Sequence, residues 1–304
     1  MSFTRSKRHA LSSAVSGKPS TSSFFQALGF TFGKTIGQGT YSKVCTVTNE
    51  AGKVLACKII NKKCAGIEFI DKFLPRELGI ICSIKHPNIV TVHKVLEVNS
   101  IIYMFMDFCK NGDLLEFIRL KGALSEDKAK WIFRQIVDAV QYLHNLDVAH
   151  RDLKCENVFL MGDNRVKLGD FGFARHCKNH YGEKIKSSTF CGSAAYAAPE
   201  ILQGVLYEPK KYDIWSLGCI LYIMLAASMP FDDANIKKMV KAQLTGIIND
   251  AIAKWPKQSD AVKVLISCLL EPDSTQRVTI EDVADCAWLE EEVSKRQKVL
   301  SKIF

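Results

Sequence analysis

The chain has 304 residues, 41 Lys and Arg against 32 Asp and Glu, and so a formal net charge of +9. With 47% apolar residues, 18 Gly and 8 Pro, it is too apolar for a disordered chain and too poor in Gly and Pro for a collagen-like one. The longest apolar run, Leu217–Ala227, has 11 residues. A bilayer span needs roughly 18–20, so no transmembrane segment is expected and this run reads as a buried core helix.

The 11 cysteines are odd in number, scattered from Cys45 to Cys286 and contain no C-x-x-C pair, which argues against a disulfide framework and a zinc site. A reducing, cytoplasmic setting is expected, and no signal-peptide pattern follows the basic start. Arg5, Lys7, Arg8 and Lys18 fall in the first 30 residues with no acid among them. This stretch lacks the interleaved aromatics or recognition module of a nucleic-acid binder, so no nucleic-acid partner is expected.

In chain order, residues 1–29 are Ser-rich and aperiodic and are expected to form a disordered basic tail. From Phe30 to Met106, short β-rich runs (FTFGKTI, KVCTVTN, VLACKII, VTVHKVLEV, IIYMFM) are interrupted by one helical stretch near Lys72–Ile84. That pattern predicts a small antiparallel β lobe with one helix. Residues 107–111 form a joint. Residues 112–289 turn to helical periods, including Ser125–Leu143, Asp213–Ala227 and Asp260–Leu270, so a larger, mainly helical lobe follows and the class is α+β. Residues 290–304 form a C-terminal extension, where Leu289, Val293, Arg296, Leu300 and Ile303 fall at helical spacing with bases between them. It reads as a continuation of the last helix or as a calmodulin-type target.

Gly37-Gln38-Gly39 lies between two strand runs, where bare backbone lets N–H groups approach phosphate closely. Because a strand follows, a dinucleotide-binding βαβ unit is disfavoured. Lys58 ends the run VLACK, and Glu77 in the helical stretch is placed to pair with it. Pro75, which lacks an N–H, fits a first helical turn or a kink. The deciding segment is His150-Arg151-Asp152-Leu153-Lys154-Cys155-Glu156-Asn157, followed by Asp170-Phe171-Gly172. An Asp in a polar loop can accept a hydroxyl proton, while an Asn and a second Asp supply hard oxygen ligands for Mg²⁺. Such a set points to phosphoryl transfer.

The ordered set G-x-G, ACK, E, HRDLKxxN, DFG and APE resembles a eukaryotic protein kinase domain over residues 30–289. The resemblance implies a two-lobed fold with N-lobe 30–106, hinge 107–111 and C-lobe 112–289. It implies that Ile36, Gly37, Gly39, Val44 and Ala56 enclose ATP, and that Lys58, paired with Glu77, contacts the α/β-phosphates. Met106 would stand as gatekeeper, Asp107 and Cys109 would offer hinge backbone to adenine, and Asp113 would bind ribose. Asp152 would be the catalytic base and Lys154 would steady the transferring phosphate. Asn157 and Asp170 would hold Mg²⁺, or Mn²⁺ in its place. A phosphate on Thr189 would pair with Arg151, and Ser193 would bond Asp152 and Lys154, which favours Ser/Thr acceptors. Glu200 and Arg277 match a buried ion pair, and Asp213 and Trp215 match the helix start that anchors the catalytic loop.

Closer matches are KFLPREL, NGDLLEFI, HRDLKCENVFL and TFCGSAAYAAPE, which are similar to the testis-specific serine/threonine kinase family in the calmodulin-dependent-kinase-like group. This implies a monomeric, cytoplasmic or sperm-associated serine/threonine kinase acting in spermatid differentiation. Its partners would be ATP, protein substrates, an upstream activating kinase and a chaperone. Asp113 and Glu156 match positions where related kinases bind Arg upstream of the acceptor, so an R-x-x-S/T substrate is expected. The rival reading is a pseudokinase-like scaffold in which Ser42 or Pro75 spoils nucleotide positioning.

Overall fold

The computed structural model describes residues 21–39, 41–162, 165–189 and 191–290. The tail before Thr21 and the helical spacing from Val293 to Ile303 lie outside them. A first helix, α1 (Thr21–Ala27), precedes three strands, β1 (Thr31–Gln38), β2 (Ser42–Thr48) and β3 (Val54–Asn61). Helix α2 (Leu74–Ser83) and strands β4 (Val92–Val98) and β5 (Ile101–Asp107) complete this half. The five strands form one sheet in the order β1-β2-β3-β5-β4, with every neighbouring pair antiparallel.

Side chains alternate across a strand, so the register sorts this sheet into two faces. Cys57 pairs with Cys45 and Phe105, and with Val47, Leu55 and Tyr103 these residues build one apolar face. Lys58 pairs with Val44 and Met104, and Ala56 pairs with Met106, on the other. Residues 21–29 correct the expected tail. Phe25 is 1% exposed and its ring centroid lies 4.4 Å from that of Tyr103 and 5.2 Å from that of Phe32, so α1 closes the outer face.

The helical stretch read at Lys72–Ile84 begins as one wide turn over Phe69–Phe73 and becomes regular at Leu74. Pro75 stands directly after that wide turn, at the junction with the regular helix, a place where a residue without an N–H is accommodated. The helix buries Leu74, Glu77, Ile80 and Ile81, one stripe at helical spacing.

The second half holds α3 (Leu114–Lys121), capped by Asp113, and α4 (Glu126–Asn145), capped by Ser125. Short strands β6 (Val148–Ala149), β7 (Val158–Leu160), β8 (Val166–Leu168) and β9 (Arg175–His176) pair as β6-β9 and β7-β8. Then come α5 (Pro199–Leu202), α6 (Pro209–Ala226), α7 (Ile236–Leu244), α8 (Ile247–Ala253), α9 (Asp260–Leu269) and α10 (Ile280–Ala284). Helix α6 starts four residues before the expected Asp213, because Pro209 suits a first helical position. It is apolar on all sides and buried from Tyr212 to Leu225, the mark of a central helix. Gly218 lets α9 approach: a Cβ there would lie 2.7 Å from Leu270.

Candidate active site

Strand β3 carries Lys58 on the inner sheet face, and α2 brings Glu77 up to it. Lys58 Nζ donates to Glu77 Oε1 at 2.6 Å and to Asp170 Oδ1 at 3.4 Å. Burial alone would lower the Lys58 pKa, but the two carboxylates outweigh it and hold the ammonium above its usual range. Burial would raise Asp170, and Lys58 together with His150 keeps it ionised below the usual carboxylate range. Its side chain is 50% exposed, so one carboxylate face remains open.

The loop after β6 is shaped by one buried carboxylate. Asp213, near the start of α6, accepts the His150 and Arg151 amides at 2.8 Å each and faces His144 Nε2 at 2.9 Å. Those bonds hold Arg151 in the left-handed region (φ 66°), which a non-glycine residue adopts only when its surroundings over-determine it. Asp170 is held likewise, at φ 56°. His150 links the two strained points: Nε2 meets the Gly169 carbonyl at 3.0 Å, and its ring lies edge-on to Phe171.

Asp152 is 4% exposed, and both of its oxygens are engaged. Oδ2 accepts from Lys154 Nζ at 2.8 Å and from Asn157 Nδ2 at 3.1 Å, and Oδ1 accepts from the Ser193 amide at 3.1 Å. Lys154 Nζ also donates to Ser193 Oγ at 3.0 Å. Asn157 Nδ2 is held a second time by the Asp152 carbonyl at 2.8 Å. This leaves Asn157 Oδ1 and Asp170 Oδ2 without a donor among the described residues. Two hard oxygens of that kind suit Mg²⁺, which takes one or two protein ligands and fills its octahedron with phosphate and water. No cluster of three or more His, Cys, Asp or Glu among the described residues offers a complete metal cage.

The protein kinase domain model matches residues 30–289. The chain belongs to the protein kinase family. Mouse testis-specific serine/threonine-protein kinase 1 is 46% identical over 265 residues, covering 86% of this chain and 72% of the relative. Mouse testis-specific serine/threonine-protein kinase 3 is 45% identical over 271 residues, covering 88% of this chain and 98% of the relative. Human testis-specific serine/threonine-protein kinase 4 is 37% identical, over 89% of this chain and 86% of its own length.

In this kinase the expected nucleotide residues converge on the inner sheet face and the strand that leaves it. Val44, Ala56 and Met106 share the Lys58 face, Gly37 pairs with Val44, and Ile36 is exposed on β1. Asp107 uses its side chain on other business: Oδ2 meets the Thr91 amide at 3.1 Å and Lys167 at 3.0 Å, and Oδ1 meets His93 at 2.8 Å. Its amide donates to the Thr91 carbonyl at 3.1 Å, so neither its side chain nor its N–H is left for a ligand. Burial pushes the Cys109 thiol up to about 11. Asp113 caps α3 by accepting the Glu116 amide at 2.9 Å, and Glu156 accepts the Tyr196 hydroxyl at 3.0 Å.

The activation segment holds what sequence reading missed. Arg151 donates to Ser187 Oγ at 3.1 Å and to Cys191 Sγ at 2.8 Å, and Arg175 donates to the same Ser187 Oγ at 3.3 Å. Neither Arg151 Nε nor Arg175 Nε has an acceptor among the described residues. Two guanidiniums thus share neutral acceptors; burial and the charges of Arg151 and Arg76 lower the Arg175 pKa. Thr189 is exposed and meets none of these groups; its carbonyl accepts the Tyr207 hydroxyl at 3.0 Å. Arg175 carries no motif, and only its place after Asp170-Phe171-Gly172 could have suggested it.

Proposed function

We propose that this protein kinase transfers the γ-phosphoryl group of ATP to serine and threonine hydroxyls of protein substrates, with Asp152 as the residue that takes the hydroxyl proton. The observation that carries the assignment is the Asp152 carboxylate, clamped by Lys154, Asn157 and the Ser193 amide. Three donors fix its oxygens, so a substrate hydroxyl brought to it meets an oriented acceptor and loses its proton as attack on the γ-phosphorus begins. Lys154, between Asp152 and Ser193, is placed to meet charge on the transferring group. Lys58, gripped by Glu77, would position the α/β-phosphates, and Asn157 with Asp170 would hold Mg²⁺ or Mn²⁺. When bound, the metal neutralises phosphate charge. Ile36, Gly37, Gly39, Val44, Ala56, the Asp107–Cys109 backbone and Asp113 would enclose the nucleotide.

The two arginines around Ser187 lack an anion, and a phosphate on Thr189 would supply one if the segment turned Thr189 inward. Glu156 and Asp113 would recognise Arg upstream of the acceptor. The testis-specific names of the relatives support a role in spermatid differentiation and a sperm-associated setting. A cytoplasmic location, a monomeric state, an upstream kinase and a chaperone belong to the same reading and rest on the resemblance alone. No described helix is long and apolar enough to cross a membrane. The scaffold reading has no lost residue in its favour: the helix that carries Pro75 still delivers Glu77 to Lys58, and Ser42 pairs with Ile60 in the sheet.

The test compares transfer from Mg²⁺-ATP to a basic serine peptide by the wild type and by Asp152→Asn. A general base contributes about 10²–10⁴-fold, so a loss on that scale is expected. Equal rates would remove Asp152 from the role.

A further inference from the structure

Behind the activation segment lies a cavity of about 300 Å³ that none of the residues assigned to ATP or proton transfer lines. Its outer wall is a small hairpin, in which the Ile185 amide donates to the Cys177 carbonyl at 2.7 Å. Its inner wall is the start of α6 and of α10. The floor is apolar: Cys177, Ile214 and Ile280 are buried and Ile185 is half-buried. No Phe, Tyr or Trp lines it, so it offers no ring to stack a nucleobase.

Lysines outnumber carboxylates around the cavity. Five lysines line it, at positions 178, 184, 186, 210 and 211, against Asp147, Glu208 and Glu281. Lys178 and Lys210 both bind Asp147, at 2.8 and 2.7 Å, so that carboxylate is neutralised. Lys211 turns to the Arg277 and Val278 carbonyls. Lys184 reaches Glu208 only at 3.3 Å with 74% of its side chain exposed, which makes a weak pair. Lys186 is exposed and has no acceptor among the described residues.

We propose that this cavity binds an amphiphilic anion, an alkyl carboxylate whose chain lies on Cys177, Ile185, Ile214 and Ile280 and whose head meets Lys186 and Lys184. The volume sits at the low end of small-molecule pockets, about 300–1,000 Å³, which suits one medium-length chain. An apolar floor disfavours a bare inorganic anion, and a rim with more lysines than carboxylates favours an anionic head over a cationic one. A ligand there would tie residues 177–186 to the helical lobe. The wall also contains His144, whose ring meets the Asp213 carboxylate that holds the His150 and Arg151 amides.

Decanoate, decan-1-ol and inorganic phosphate titrated calorimetrically into the full chain separate the contributions of chain and head. Saturable decanoate binding is expected, with decanol and phosphate each at least about tenfold weaker, since a hydrogen bond to a charged group carries that much. Lys186→Glu should weaken decanoate by about tenfold. Hydrogen exchange should slow across residues 177–186 on decanoate addition, which locates the site without a variant. Absence of saturable binding, equal affinity for decanol, or slowing confined to other segments would overturn the proposal. Binding is read directly, so failure here leaves the kinase assignment untouched.

Discussion

Around Asp152, single atoms decide the geometry, and Gly192 shows how little room there is. Its φ is +82°, and a Cβ there would lie 2.7 Å from the Arg151 carbonyl, 2.8 Å from the Tyr212 hydroxyl and 3.1 Å from Asp152 Oδ1. Gly192→Ala must push either the arginine backbone or the carboxylate aside. Misplacing a catalytic group by about an ångström can cost on the order of 10²-fold, so kcat should fall by about 10- to 100-fold. The KM for ATP should hold, because Lys58 and the sheet are remote from Gly192. Steady-state kinetics with a folding check by circular dichroism reads this; an unchanged kcat would show that the contact is not tight. The Asp152, Lys154, Asn157 and Asp170 set was legible because one short loop fixes the spacing of the first three and the β7-β8 hairpin fixes the step to Asp170. Arg175 and Ser187 were not: they meet through space, and neither sits in a pattern of its own. At Gly37 the reverse holds, since a Cβ would meet only Val44 at 3.7 Å and packing does not demand a glycine there.

Among the elements, two contacts set how the sheet holds its inner face. On the outer side α1 inserts Phe25 against Tyr103, Phe32 and Phe105. Composition hid this helix, because seven residues with two Phe in a Ser-rich stretch carry too little periodicity to stand out, and docking rather than propensity forms it. A buried Phe reduced to Ala costs about 3–5 kcal/mol, so Phe25→Ala should lower unfolding stability by that order in urea. A change under about 1 kcal/mol would mean that α1 is not held by this ring. At the other end of β5, Asp107 ties the strand to Lys167, the Thr91 amide and His93. Burial would raise its pKa, but those bonds hold it below the usual value. A depressed carboxylate contributes stability that is present above its unfolded pKa of about 3.9 and is lost as pH falls through the lower folded value. Stability should therefore drop with acid below about pH 4 less steeply in Asp107→Asn than in the wild type. Urea midpoints measured against pH check this, and parallel curves would remove the carboxylate from the account.

For the molecule as a whole, the sequence made the two-part division plain because the hydrophobic period changes from 2 to 3.6 near Gly112. It could not rank the ties between and within the parts, since strength depends on burial. Lys58 to Asp170, a 3.4 Å contact to a half-exposed carboxylate, is a loose link between the sheet and the segment after β8. Glu200 and Arg277 are the opposite case: NH1 and NH2 donate to Oε1 and Oε2 at 2.7 and 3.0 Å, with the Arg277 side chain fully buried. Arg277 is further held by the Glu271 and Lys211 carbonyls, and its guanidinium lies over the Trp215 ring at 5.0 Å. This pair fastens the end of the activation segment to the segment between α9 and α10, which Arg277 in turn ties to the central helix. Removing one charge strands the other without water, so Glu200→Gln and Arg277→Met should each cost about 3–5 kcal/mol. Replacing both, as Glu200→Gln with Arg277→Met, removes the stranded charge as well. The double variant should then lose clearly less than the sum of the two single losses, with a coupling of about 1–3 kcal/mol. A urea-unfolding cycle over the four proteins measures it. Additive losses would mean that Arg277 is satisfied by its carbonyls alone, and the anchoring of the segment would have to be sought in the Ser187–Tyr207 backbone bonds instead.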